Sequence, residues 1–234
     1  MQRSNGRSAR SLRTVTFARG FQPSPAGSVL VSFGNTQVIC AVSVSDDVPR
    51  WMRGQQKGWL TAEYAMLPSA TNERSRREVR SGRQSGRSME IQRLIGRSLR
   101  AVCDLTKLPE MEIVVDCDVV VADGGTRTAA ITGAWVALHD AFTKIGFASA
   151  LTGQVSAVSV GVVAGEVVCD LDYPEDSTAE VDMNLVMTDD GRFIEVQGTA
   201  EGKPFDRELL DEMLLVGSEA CSQLHRLQRE AVGI

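Results

Sequence analysis

The segment Ala122-Asp123-Gly124-Gly125-Thr126-Arg127-Thr128 follows a run of valines and precedes an Ala- and Ile-rich stretch, so it reads as strand, glycine turn and helix start. Such a turn suits an oxyanion. Glycines let backbone N–H groups approach a ligand closely, and a helix N-terminus adds partial positive charge. Thr126 offers a hydroxyl donor, and Arg127 can grip a phosphate in bidentate fashion. No Gly-Lys-Ser/Thr follows and the spacing is not Gly-x-Gly-x-x-Gly, so neither the nucleotide triphosphatase loop nor the dinucleotide fingerprint is present. The same turn also serves as a plain helix start, and residue types alone leave both readings open.

Two further groups carry related chemistry. Ser85-Gly86-Arg87-Ser88 opens a second helix, which could aim Arg87 at the same anion, although an ordinary Ser/Gly cap looks the same. It ends a stretch in which Arg74, Arg76, Arg77, Arg80, Arg83 and Arg87 face only Glu73 and Glu78, without apolar periodicity. That pattern predicts an exposed, mobile arginine loop that binds phosphodiester backbones by charge. Further on, Asp170, Asp172, Glu175, Asp176, Glu180 and Asp182 form an acidic run. It is either a solvated surface or a set of carboxylates that hold a divalent cation or protonate a leaving oxygen. Cation clamps beside carboxylates are the parts phosphoryl transfer needs.

Charge distribution points the same way. Residues 1–100 carry 17 Lys+Arg against 6 Asp+Glu, and residues 101–234 carry 8 against 24, which the overall −5 conceals. A polyanion partner for the basic part explains this, and mutual neutralisation of the halves is the competing account.

The elements that must position these groups are legible from periodicity. Residues 28–44 and 156–173 each read as a β-hairpin, the first turning at Gly34-Asn35-Thr36. Their valines and cysteines suggest a weak repeat about 130 residues apart. Helices are predicted over 87–103, over 127–142 and over 206–230 with Asp206 as N-cap, and a strand over 111–121. Strands and helices mix, so the fold class is α/β or α+β, in one domain of 1–234 with halves of roughly 1–145 and 146–234. With 43% hydrophobic residues the chain can bury a full core. No run of 18 apolar residues and no apolar leader occurs, so a cytoplasmic protein without membrane association is expected. Cys40, Cys103, Cys117, Cys169 and Cys221 show no Cys-x-x-Cys pair and mostly sit in apolar runs, as free buried thiols would. His139 and His225 lie within helical stretches without a Ser or Cys nucleophile motif, and structural roles are expected for both.

Four runs resemble the ribonuclease PH family: GWLTAEYAMLP (58–68), GRSMEIQRLIGR (86–97), DCDVVVADGGTRTAAITGA (116–134) and MTDDGRFIEVQGTAEG (187–202). The resemblance runs in order over nearly the whole chain. It implies a phosphorolytic 3′→5′ exoribonuclease, also a tRNA nucleotidyltransferase in reverse, that trims precursor tRNA with inorganic phosphate and releases nucleoside diphosphates. It implies phosphate binding by Arg87, Gly125, Thr126 and Arg127, and catalytic, magnesium-associated acids at Asp176 and Asp182. It directs Arg76, Arg77, Arg80 and Arg93 toward RNA. The implied fold is two β-α halves of the ribosomal-protein-like type, and the implied assembly a homohexameric ring, a trimer of dimers. A non-catalytic RNA-binding subunit of an exosome-like ring is the alternative. This chain departs from the family pattern at Ala65, where Gly is usual, and at Ser69-Ala70, where Arg-Ser is usual. The link between the third predicted helix and Val155 also looks short.

Overall fold

The computed structural model describes Arg3 and residues 6–234. The first sheet contains β1 (Val15–Arg19), β2 (Gly27–Phe33), β3 (Thr36–Ser45), β4 (Trp59–Met66) and β5 (Glu112–Val121), in the spatial order β1-β2-β3-β5-β4. β4 runs parallel to β5 and all other pairs are antiparallel. A parallel pair needs a crossover, and α1 (Gly86–Arg100) supplies it, packing Ile91, Leu94, Ile95 and Leu99 inward as the spacing predicts.

After β5 the chain enters α2 (Thr126–Lys144), which is buried along most of its length. It lies against β2 and β3 on one side and, on the other, against β6 (Val155–Val163) of a second sheet. That sheet adds β7 (Glu166–Cys169), a short helix α3 (Tyr173–Asp176) leading to β8 (Val181–Thr188), and β9 (Phe193–Ala200), in the order β7-β6-β8-β9. The outer face is covered by α4 (Arg207–Val232), whose N-cap Asp206 accepts a hydrogen bond from the Leu209 N–H at 2.9 Å. One hydrophobic core runs through both sheets and around α2. The α/β class expected from the sequence is therefore observed, with helix ends within a few residues of those predicted.

The repeat is less regular than the residues suggested. Both hairpins form, but they turn at Gly34-Asn35 and Ala164-Gly165, so Cys40 pairs with Val29 whereas Cys169 pairs with Val160. Matching the cysteines is one residue out of register with matching the turns, and a one-residue slip exchanges the faces of a strand. The short link before Val155 is closed by a 3-10 turn at Ala148–Ala150 and a bridge between Leu151 and Cys103. All five cysteines are free thiols, and Cys103 alone is only partly buried. His225 is buried, with Nε2 3.0 Å from Ser156 Oγ, a satisfied structural role. His139 stacks at a tilt on Trp135, but its Nδ1 finds no hydrogen bond, so that ring is held by packing.

The seating of α2 depends on glycine. A Cβ on Gly27 would stand 2.0 Å from the Ala137 carbonyl oxygen, a backbone atom that moves only with the helix. Gly27→Ala is expected to cost about 1–3 kcal/mol or more. Thermal unfolding checks this: Tm falls by roughly 2–4 °C per kcal/mol in a chain of this size, and an unchanged Tm would show that α2 is not held this tightly.

Candidate active site

The glycine turn is fixed before any ligand arrives. Gly124 and Gly125 have φ of 74° and 65°, the left-handed region that side chains disfavour. A Cβ on Gly124 would lie 2.5 Å from the Leu171 carbonyl oxygen, so the loop packs against the second half without room to spare. The Thr36 hydroxyl donates to Gly124 O at 2.6 Å and accepts from the Asp123 N–H at 3.0 Å. From the far side, Arg13 Nη1 donates to Asp123 O at 2.6 Å. With its carbonyls occupied in this way, the turn leads into the N-terminus of α2.

Arg13 belongs to a buried ion cluster. Its guanidinium meets Asp170 through Nε at 3.1 Å and Nη2 at 2.7 Å, while the Arg13 backbone N–H donates to the same carboxylate at 2.7 Å. Arg3 forms a two-point pair with Glu175 at 2.7 Å on each oxygen, and Arg7 lies within ion-pair distance of Asp170, Asp172 and Glu175. Glu175 is held below the usual carboxylate range against its burial, chiefly by Arg3. Asp172 caps α3 in a reciprocal capping box with Glu175.

The acidic run thus divides, which corrects its reading as one constellation. Asp170, Asp172 and Glu175 bind N-terminal arginines, and Glu180 accepts the Gly165 N–H at 2.9 Å. Asp176 and Asp182 alone face the cleft. The charge asymmetry divides likewise, because Arg3, Arg7 and Arg13 neutralise acids of the C-terminal half and take no part in a basic surface.

That cleft has a volume of about 340 Å³, and Arg87, Gly124, Gly125, Thr126, Arg127, Asp176 and Asp182 all line it. Arg87 sits at the first turn of α1, where the Ser85 side chain caps the Ser88 N–H at 3.1 Å. The Tyr64 hydroxyl lies 2.8 Å from Thr126 Oγ1 and orients that side chain from below. Arg127 Nη1 donates to Gln197 on β9 at 2.7 Å and to Glu90 on α1 at 3.2 Å, which spans the guanidinium between the two sheets. Thr71, Ser159, Tyr173 and Asn184 complete the wall. Of these four together with Arg13 and Tyr64, only Tyr64 falls within a run that carries the resemblance, and the chain path identifies the others.

Arg76, Arg77, Arg80 and Arg93 are exposed and lie outside the cleft. Arg93 lines a separate groove with Gly86, Met89, Glu90, Arg97 and Glu195. The arginine stretch is exposed as expected, but it is anchored at one point. The Glu78 carboxylate accepts the Ser85 N–H at 3.2 Å and the Ser88 hydroxyl at 2.8 Å, which ties a 3-10 turn at Glu78–Ser81 to the start of α1. Ala65 and Ser69 are exposed and line no part of the cleft.

Electrostatics single out the two cleft carboxylates. Burial pushes Asp182 up, and the charge of Asp176 adds to that, opposed by Arg127 and Arg87. Asp176 is also raised, by desolvation first, against the pull of Arg87 and Arg127. Asp182 Oδ1 is buried without a hydrogen-bond partner among the described residues. Among the described residues no set of three or more His, Cys, Asp or Glu side chains suited to a metal occurs.

A folded-state pKa above the unfolded value means that the ionised carboxylate disfavours folding, and this penalty vanishes once pH falls below the ordinary carboxylate range. Asp182→Asn is therefore expected to raise Tm at pH 7. The gain shrinks as pH falls toward the ordinary aspartate value. Paired melting curves across pH check this, and a destabilised variant at pH 7 would overturn the assignment.

The sequence from 11 to 144 matches domain 1 of the 3′ exoribonuclease family, and 153 to 220 matches domain 2. The chain is 57% identical to ribonuclease PH of Mycolicibacterium gilvum, over 99% of its own length and 91% of that protein. It is 57% identical to ribonuclease PH of Saccharopolyspora erythraea, over 99% and 95%. Among solved structures, rice Rrp46 matches with a TM-score of 0.78 at 23% identity, covering 97% of this chain and 98% of that one. The Archaeoglobus fulgidus exosome with RNA bound to the active site matches at 0.79 and 21%, covering 96% and 92%. The structural matches speak to the fold, and with the extent and identity of the sequence matches, the chain belongs to the 3′ exoribonuclease family, within its ribonuclease PH branch.

Proposed function

We propose that this chain trims the 3′ ends of precursor tRNA by phosphorolysis, with the two arginines and two aspartates of the 340 Å³ cleft as its working parts. The observation that carries this reading is their convergence from four separate elements. Arg87 comes from α1, Arg127 from α2, Asp176 from α3 and Asp182 from β8. An oxyanion fits between Arg87 and Arg127, with the Thr126 hydroxyl and the Gly125 and Thr126 amides as further donors. The cations offset the charge of inorganic phosphate, so that its oxygen can approach an already anionic phosphodiester. The new P–O bond forms as the bond to the 3′-oxygen of the preceding nucleotide breaks. That oxygen then takes a proton, for which a water held beside the Asp176 and Asp182 carboxylates is a source.

Asp176 and Asp182 would hold magnesium. The unpartnered Asp182 Oδ1 fits a cation ligand, and two carboxylates suit an ion that keeps several waters and takes substrate phosphate oxygens. When bound it supplies charge neutralisation at the scissile phosphate.

Arg76, Arg77, Arg80 and Arg93 are read as contacts to the RNA backbone, a role their exposure supports. A homohexameric ring, a trimer of dimers, is the proposed assembly. The archaeal exosome cores that share this fold support it, as do the exposed Phe193 and Val196 on the sheet-edge strand β9. Residues 1–234 are read as one domain of two halves, and the main core, which spans both sheets, favours this. A cytoplasmic site suits the free thiols. A non-catalytic ring subunit would not need both arginines and both aspartates in one cleft.

Incubation with an RNA bearing extra 3′ nucleotides should release nucleoside diphosphates only when inorganic phosphate and magnesium are added. Monophosphates released without phosphate would contradict the reading, and no release would favour the inert subunit. Arg127→Ala should raise KM for phosphate by roughly 10- to 100-fold, the value of a charge-assisted contact, with RNA retention mostly intact. Equal loss of both would assign Arg127 to RNA instead.

A further inference from the structure

The active cleft does not end at Asp176. It continues past Ala122 and Tyr173 into a second hollow of about 480 Å³, lined by Asn35, Gln37, Asn72 and Asp123. Among the described residues no lysine or arginine lines this extension, and one carboxylate does. A phosphodiester path would be repelled there. An uncharged group of nucleoside size is suited to it, since small-ligand sites commonly span about 300–1,000 Å³.

The walls are built, not incidental. Asp123 accepts the Tyr173 N–H at 3.2 Å through one oxygen and the Asn35 side-chain N–H at 3.1 Å through the other. One residue of the glycine turn thereby sets both sides of the hollow. Tyr173 stands at the boundary of the two cavities with 55% of its surface exposed, a large ring with an open face three residues before Asp176. Such a ring can stack on any base, because every base presents a π-face. The amides of Asn35, Gln37 and Asn72 each carry both a donor and an acceptor, which can meet the edge of a purine or a pyrimidine without selecting one. On the other side of Arg87, a groove is lined by Glu90, Arg93, Arg97 and Glu195; Arg97 pairs with Glu195 and Glu90 with Arg127, and the exposed Arg93 is the cation this groove offers a backbone.

Resting on the phosphorolytic reading, we propose that the hollow beyond Tyr173 receives the 3′-terminal nucleoside of the RNA, with Tyr173 stacked on its base. The rest of the strand leaves by the Arg93 side, and the scissile phosphate lies between. The same hollow then holds the nucleoside moiety of the diphosphate product. Base stacking with amide edges that carry both donor and acceptor is expected to admit any of the four bases.

Calorimetric binding of ADP and of inorganic pyrophosphate to the full chain tests this without turnover, because the two ligands differ by the nucleoside alone. Tyr173→Ala should weaken ADP about tenfold or more, the range for a lost base–aromatic stack, and leave pyrophosphate unchanged. Tyr173→Phe, which keeps the ring, should bind ADP like the parent protein. Equal weakening of both ligands, or no weakening of ADP, overturns the subsite. A parallel phosphorolysis assay of the parent protein separates the two ideas. If it releases no diphosphates while the binding pattern holds, the phosphorolytic reading fails and the nucleoside pocket stands.

Discussion

Asp170 is the residue on which the cleft's geometry turns. Its carboxylate is fully buried, its backbone lies in the left-handed region at φ 54°, and it is fastened to Arg13 by two guanidinium contacts and a backbone N–H. Arg13 in turn holds the Asp123 and Gly124 carbonyls. The glycine turn of the first half and the acidic stretch of the second are thus bound to one guanidinium. Breaking a buried pair by removing one partner typically costs about 3–5 kcal/mol, since the other charge is left unpaired in the interior. The cost enforces a fixed distance between Arg127 at the start of α2 and Asp176 at the end of α3, which phosphoryl transfer between them needs.

The helices and hairpins were legible in the sequence because each buries one face, and burial writes a period of 3.6 or 2 into the residues. α1 shows this in Ile91, Leu94, Ile95 and Leu99. The largely buried α2 was found through its start signal more than its period, since apolar residues surround it. The glycine turn was visible as a turn, but its commitment to an anion was not. Nothing local distinguishes Gly124-Gly125 in a ligand loop from the same pair in a structural cap. The separation of Asp170, Asp172 and Glu175 from Asp176 and Asp182 was hidden for a different reason. Neighbours in sequence point to opposite sides of a short helix, and their partners, Arg3, Arg7 and Arg13, lie more than 150 residues away in the chain.

Charge counts misled in the same way. A surplus of arginine in residues 1–100 does point to a polyanion, but Arg3, Arg7 and Arg13 are spent on buried acids of the same chain. The surplus that remains for an external partner is concentrated in residues 74–97, beside the cleft. Mutual neutralisation and polyanion binding were posed as alternatives. The fold uses both, dividing them by burial: charges that meet in the interior are structural, and those at the rim face solvent, where phosphate can reach them.

The two kinds of carboxylate also explain why the site sits where it does. Asp170 and Glu175 are buried and paired, whereas Asp182 is half-buried with its inner oxygen unpartnered among the described residues, raised toward protonation and near a like charge. An arrangement of the second sort opposes folding, and it persists only where neighbouring structure over-determines it. Its neighbours here are β6 and β9 on either side of β8, and the α3 turn capped by Asp172 and Glu175. The paired acids therefore hold rigid the segment in which Asp176 and Asp182 face Arg87 and Arg127 across the cleft without an ion pair. Were Arg13 or Arg3 to lie against Asp176 or Asp182 instead, those carboxylates would be satisfied and depressed, and the cleft would lose its cation site.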